Sequence, residues 1–443
     1  MFIGIDFGTS NSAVSASDGT SVAMVPLEGE EATMPTALFF NAEEHRTAFG
    51  RQAMREYMEG IEGRLMRSIK SVLGSSLIEE KTLVAGRATG FEEIIAYYLG
   101  HLRKLAQQHL SRDGSHELRR VVLGRPVHFV DDDVKRDALA QQTLERAAHS
   151  AGFAEVAFQF EPIAAALDYE LGLTAEELVL VVDIGGGTSD FTVIRLSPTL
   201  ALKAERKDDI LASGGVHLGG TDFDRELSLA AAMPALGYGS AALNGRIVPA
   251  SIYFELATWH KINFLYTNKE LHAAAQLRHY YEDAALHARL MQVLNQRLGH
   301  RLAAQVETAK IAVADGGATD LDLQFIESGL HVPVSSALLA GSIDDEVERI
   351  AATAEETLRE AGVAPDVPIT LYFTGGSTGI RDLRDAFSAR FPNSKMVNGD
   401  RFSSVARGLG VHAARVFGAT PEKAPGKAAA KTPRATVKKP KTR

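Results

Sequence analysis

Phe2-Ile3-Gly4-Ile5-Asp6-Phe7-Gly8-Thr9-Ser10-Asn11 and Leu178-Val179-Leu180-Val181-Val182-Asp183-Ile184-Gly185-Gly186-Gly187-Thr188 are two versions of one phrase. Each is an apolar run that closes on an aspartate, enters a Gly/Thr turn and returns, through Ser12 to Ala16 in one case and Ser189 to Ile194 in the other. That pattern reads as a β-hairpin. The two aspartates lie 177 residues apart, a domain-sized interval, and internal duplication is the economical explanation. Glycines in a tight turn let backbone N–H groups converge with no Cβ in the way, which makes an anion nest. A lone Asp before such a turn is ordinary hairpin chemistry. Two in register suit the phosphates of a nucleotide and its Mg²⁺, which keeps most of its waters and touches few protein oxygens.

The composition sets the frame around this repeat. With 443 residues, two or more domains are expected. Hydrophobic residues at 45% and charged residues at 23% exclude the collagenous and largely disordered classes. No apolar run approaches membrane-helix length, which takes about 18 residues, and Asp6 interrupts the N-terminal one, so neither a membrane span nor a signal peptide is expected. The absence of cysteine excludes disulfides, thiolate metal sites and a Cys nucleophile, and fits a cytoplasmic setting. Residues 420–443 carry eight Lys/Arg against one Glu, leaving the rest at −16. An acidic body argues against specific nucleic-acid binding. The tail cannot bury enough apolar surface to fold and is expected to be a solvated tether, with weak polyanion contact the alternative.

Helical patterns are expected over 53–71 and 91–110, a buried strand at Val121-Val122-Leu123-Gly124, and an amphipathic helix from Asp132 to Ala151. Pro162 suits the first turn of a helix from Ile163 to Glu170. Residues 250–298 hold neither Gly nor Pro, too long a stretch for one ordinary helix, and read as packed helices of an inserted subdomain with Tyr253, Phe254, Trp259, Phe264 and Tyr266 as its core. His272, His279 and His287 fall near one helical face without a carboxylate set, so a metal site there is not expected. A strand at Thr370-Leu371-Tyr372-Phe373 runs into Thr374-Gly375-Gly376-Ser377-Thr378-Gly379, and a last helix, Ser403 to Phe417, has small residues that permit close backbone contact.

Five ordered segments resemble the seventy-kilodalton heat-shock (DnaK-type) chaperone family. Ile3 to Ser12 and Asp183 to Asp190 are similar to its two phosphate motifs. Glu161-Pro162-Ile163-Ala164-Ala165-Ala166-Leu167 is similar to its first connecting segment, His217-Leu218-Gly219-Gly220-Thr221-Asp222-Phe223-Asp224 to a stretch particular to that family, and Phe373 to Thr378 to its adenosine motif. The resemblance spans residues 2 to about 418. It implies an α/β, actin-like ATPase fold, two duplicated lobes with inserted subdomains around a nucleotide cleft. The expected divisions are 1–176 for the first lobe (insertion about 38–118), 177–395 for the second (helical insertion about 229–312), 396–419 for a helix returning to the first lobe, and 420–443 for the tail.

The roles implied are these. Asp6 and Asp183 hold Mg²⁺ through water, Asp190 orients water, and Thr188 places its hydroxyl beside the γ-phosphate. Lys70, in Arg67-Ser68-Ile69-Lys70-Ser71-Val72, matches the family's catalytic lysine, and Glu161 links the metal shell to lobe rotation. Gly8, Thr9, Ser10, Asn11, Gly185, Gly186, Gly187, Gly219 and Gly220 cradle ATP or ADP phosphates, while Glu307, Lys310, Gly375, Gly376 and Ser377 serve the nucleoside. Ile311 stands where the family has an arginine on adenine, and Ala314 where it has a polar residue. A short YegD-type, chaperone-like member without the peptide-binding domain is expected, a slow ATPase with an unidentified client and exchange partner. The rivals are a small-molecule kinase, for which no second-substrate motif is found, and a filament-forming protein on the same fold.

Overall fold

The computed structural model describes residues 1–84, 87–110, 117–130, 133–203, 205–242, 245–364, 366–400 and 403–418. The segment 420–443, read above as a basic tether, lies outside the described residues, as does Asp132 at the expected helix start.

Two sheets organise the chain, and they share one topology. In the first, the strands run in the order Glu155–Phe160, Arg120–Arg125, Phe2–Phe7, Asn11–Ser17, Val22–Met24. In the second, the order is Lys395–Asn398, Thr370–Thr374, Glu177–Ile184, Ser189–Leu196, Ile210–Val216. Both pair the first two intervals in parallel and the last two antiparallel. The duplication seen in two short phrases therefore extends over five strands in each sheet. The expected division at residue 395 falls inside the strand Lys395–Asn398, which pairs in the second sheet.

Each central strand is apolar because helices cover it: Ile3, Ile5, Val121 and Leu123 are fully buried in one core, Leu180, Val182 and Phe373 in the other. A third core, containing Val122, Val181, Tyr372 and Leu409, lies where the sheets approach each other. The final helix, Ser404–Gly418, packs on the first sheet. A Cβ on Gly4 would stand 2.5 Å from the Gly410 nitrogen, so helix and strand touch backbone to backbone. That contact requires glycine on the strand side, and Gly410 leaves room for the Ser15 and Val22 side chains.

The helix Phe91–Leu110 spans the expected residues. Two others differ. Of the pattern over 53–71, only Gly50–Met58 is helical; Gly63–Arg67 is a strand paired with Ala37–Asn41, and Ile69–Val72 is a 3₁₀ turn. Gly60, at φ +77°, ends the helix, and a Cβ on Gly63 would stand 2.5 Å from the Phe40 carbonyl, a close approach suited to a strand. The helix expected from Ile163 to Glu170 is two short ones, Glu161–Ala165 and Leu167–Leu171, broken at Ala166. In the 250–298 insertion, Tyr253 is buried, but Phe254 and Phe264 are exposed and not core. His287 is buried against the Ala274 carbonyl. Among the described residues, no helix is long and apolar enough to cross a membrane.

Candidate functional site

The two Asp–Gly turns sit at corresponding ends of their sheets. In the first, Asp6 pairs across the hairpin with Ala13. Thr36 braces the turn: its hydroxyl donates to the Gly8 carbonyl at 2.8 Å and its N–H to the Ser10 carbonyl at 2.9 Å. In the second, Asp183 pairs with Asp190, and Gly185 donates its N–H to Thr188 at 2.9 Å. Two more glycine segments support this turn. The Gly185 carbonyl accepts from the Gly220 N–H (3.0 Å) and the Ser377 hydroxyl (2.9 Å). The Gly186 carbonyl accepts from the N–H (2.7 Å) and hydroxyl (2.8 Å) of Thr221.

Glycine is required here by space. A Cβ on Gly219 would lie 2.8 Å from the Gly185 oxygen, and one on Gly375, at φ +86°, 2.5 Å from Asp183 Oδ1. The Gly186 α-carbon faces the Ser10 side chain with no room for a Cβ, so the two turns meet. Sequence reasoning placed glycines 185–187, 219–220 and 375–376 at one site, and the structure brings these three segments together. Thr9, Asn11, Gly187 and Gly376 stay at least partly open to solvent.

Four carboxylates and one ammonium define the electrostatics. Lys70 Nζ donates to Glu161 Oε1 at 2.6 Å, with both side chains largely buried. Burial pulls the Lys70 ammonium down, but Glu161, Asp6 and Asp190 outweigh it and hold the lysine charged. Asp6 is pushed up to about 7 by burial and by Glu161, with Lys70 opposing. Asp183 is pushed up to about 8 by burial and by Asp190, Glu161 and Asp6. Asp190 is raised too, although it accepts the Thr188 hydroxyl at 2.9 Å. Asp190 opens onto solvent on one side and is crowded by like charge on the other. One lysine cannot neutralise such a cluster, so it is poised to take up a cation. Among the described residues, no three His, Asp or Glu side chains converge as direct metal ligands. Carboxylates that crowd without converging fit Mg²⁺ held largely through water.

Lys310 sits at the edge of this site. It donates to the Gly220 carbonyl at 3.0 Å and pairs with Asp224 at 2.8 Å. Asp224, pushed up to about 6 by burial against the pull of Lys310, is a charged member that sequence reasoning left without a role. Its place in the His217–Asp224 segment was the available signal. Glu307 is exposed, one turn before Lys310, and its charge acts on Arg67 and Asp224. Ile311 is 66% exposed, an apolar side chain open to the solvent. A cavity of about 1490 Å³ lies elsewhere, lined by Phe49, Tyr97 and His101 of the first insertion. It contains none of Asp6, Lys70, Glu161 or Asp183, so the carboxylate cluster is the candidate site.

Comparison with known proteins follows the same lines. The sequence profile of the Hsp70 protein family matches residues 2–232. The chain is 27% identical over 427 residues to the chaperone protein DnaK of Thermosipho melanesiensis. It is 27% identical over 430 residues to those of Thermotoga neapolitana and Thermotoga petrophila. Each alignment covers 94% of this chain and 59% of the relative, so the chain spans well under two thirds of their length.

Proposed function

Because the chain belongs to the Hsp70 protein family, whose fold is that of the actin-like ATPases, we propose that it binds Mg²⁺-ATP between its lobes and hydrolyses it slowly to ADP and phosphate. Nucleotide state would drive opening and closing of the lobes, in the manner of a chaperone working with a client and an exchange partner in the cytoplasm. In this reading the first lobe takes 1–176 and the final helix, and the second takes 177 to the end of its fifth strand.

One observation carries it. Two glycine turns from sheets of identical topology meet at Ser10 and Gly186, with Asp6, Asp183 and Asp190 around a buried Lys70–Glu161 pair. Mg²⁺, held through water by Asp6 and Asp183, would neutralise charge on the phosphates. The turn N–H groups of residues 8–11 and 185–188 would bind the phosphate oxygens. Lys70 would place its ammonium where charge develops as the terminal phosphoryl group leaves, the contribution phosphoryl transfer most needs. Thr188 Oγ1, whose proton is directed at Asp190 Oδ2, is oriented to accept a hydrogen bond from an attacking water. Lys310, Glu307 and Ser377 would bound the nucleoside side.

The kinase reading requires a second substrate, and the filament reading requires self-assembly. Titration calorimetry with ATP, ADP and GTP in Mg²⁺, combined with phosphate release in the absence of any acceptor, tests the proposal. ATP binding with phosphate release is expected. Absence of ATP and ADP binding at millimolar nucleotide overturns it, release only with an added acceptor indicates a kinase, and ATP-dependent light scattering indicates a filament.

A further inference from the structure

Lys70 and Glu161 both belong to the first lobe, so their contact by itself carries no information about the second. Three residues before Lys70, however, the chain touches the facing lobe. Arg67 ends the inserted strand Gly63–Arg67, and its guanidinium lies over the Trp259 ring, 4.3 Å from the centroid. Trp259 opens the 3₁₀ segment Trp259–Tyr266 of the second lobe's insertion. Tyr57, from the helix Gly50–Met58, reaches the same place. Its hydroxyl is 3.4 Å from His300 Nε2, and the two rings meet edge-on at 4.7 Å. Trp259 in turn packs edge-on against His300 at 4.9 Å. Two side chains from each insertion thus clasp across the lobes. Burial draws the Arg67 guanidinium down, while Glu307 and Asp224 of the second lobe support its charge. A partly desolvated cation on an indole face is the strongest form of this contact.

The link from the clasp to the site is short and stiff. Ser68 adopts φ +53°, ψ +34°, the left-handed region that a residue with a Cβ enters only under constraint. Ile69 is buried, and the 3₁₀ turn Ile69–Val72 carries Lys70 into the site. Three residues span at most about 10 Å at full extension, so the backbone that carries Arg67 to Trp259 also sets where Lys70 enters the site.

We propose that Arg67 is a positioning residue: by clasping Trp259 across the lobes it holds Lys70 on Glu161, so that the lysine is in place for hydrolysis only while the lobe tips are together. This rests on the ATPase reading above. It makes the closed arrangement the competent one, and hydrolysis is then sensitive to anything that parts the two insertions.

Trp259 is the single tryptophan of the chain, so its emission reports the clasp directly. The experiment measures ATP affinity by calorimetry and ATP turnover in the full chain and in Arg67→Ala, Arg67→Lys, Trp259→Ala, Trp259→Phe and the Arg67→Ala/Trp259→Ala double variant, and Trp259 emission in the full chain, Arg67→Ala and Arg67→Lys, which keep the tryptophan. Arg67→Ala is expected to shift Trp259 emission even without nucleotide. It should lower turnover roughly three- to thirty-fold with ATP affinity held within about three-fold. Trp259→Ala should lower turnover by the same margin, and the double variant should be no slower than either single one, because one contact is lost in all three. Arg67→Lys and Trp259→Phe should recover part of the rate. Wild-type turnover in Arg67→Ala, or losses that multiply in the double variant, would overturn the positioning role while leaving the ATPase reading intact. A wild type that binds no nucleotide removes both.

Discussion

The two hairpins began as the same structure and now differ in what they carry. Opposite Asp6 the first hairpin has Ala13; opposite Asp183 the second has Asp190. The first turn is braced by one residue, Thr36, through two hydrogen bonds. The second is braced by Gly220, Thr221 and Ser377 through four. Charge concentrates on the second hairpin, and a largely buried cation near it, Lys70, arrives from the first lobe's insertion. Duplication supplied two similar cradles. Asymmetric residues and insertions made one of them the acidic, rigid side and the other the side that delivers the lysine.

Removing carboxylates tests that asymmetry most severely. Asp6→Ala and Asp183→Ala should each lower ATP turnover roughly a hundred-fold while the protein stays folded, and Asp190→Ala roughly ten-fold, by steady-state phosphate release. Equal losses for Asp183 and Asp190 would mean that the second hairpin uses its two acids interchangeably. Lys70→Ala and Thr188→Ala should each cost about ten-fold or more in turnover, with nucleotide affinity within a few-fold. Wild-type turnover in Lys70→Ala would assign the lysine to a structural ion pair.

Backbone bracing can be probed by glycine substitution. Gly219→Ala forces a Cβ to 2.8 Å from the Gly185 oxygen, whereas a Cβ on Gly187 meets nothing within 4 Å. Gly219→Ala should cost roughly 1–3 kcal/mol of stability through overpacking and weaken nucleotide binding with it, and Gly187→Ala should change both little. Similar losses in both would show that the bracing is slack.

A smaller effect concerns stability. Asp183 titrates near 3.8 when unfolded and at about 8 in the folded protein. Between these values the folded state keeps a proton that the unfolded chain has released, so the group lowers stability progressively as pH rises from about 4 to about 8. Asp183→Asn removes this loss. In metal-free protein its Tm should exceed wild type at pH 8, by a margin that grows with pH, and match it near pH 4. An unchanged difference across that range would mean that burial and the neighbouring carboxylates do not raise Asp183.

The smallest expected change is at the nucleoside side. Ile311→Arg would add a cation beside the base, worth roughly 0.5–2 kcal/mol, and should tighten ADP more than ATP. Wild type should discriminate ATP from GTP weakly. Strict adenine selectivity in wild type would mean that another side chain covers the base.

Sequence alone determined what depends on neighbours in the chain. The hairpins, the aspartates that close their strands, the glycine turns and the helix Phe91–Leu110 are written in local pattern, and the small residues of the last helix, Gly408 and Gly410 among them, mark close packing before any fold is known. The shared order of five strands was visible only at its two most local units, because each hairpin's own parallel partner lies more than a hundred residues away, Val121 for Ile3 and Thr370 for Val179. Tertiary structure decided the rest. Gly63–Arg67 carries a helix-compatible pattern, and it became a strand because Ala37–Asn41 offered a partner and Gly60 stopped the helix. Thr36 under Gly8, Glu161 on Lys70 and Trp259 on Arg67 join residues 28, 91 and 192 positions apart. No periodicity encodes such pairs; the first two exist because distant segments of the first lobe fold against one another, and the third because the insertions of the two lobes meet.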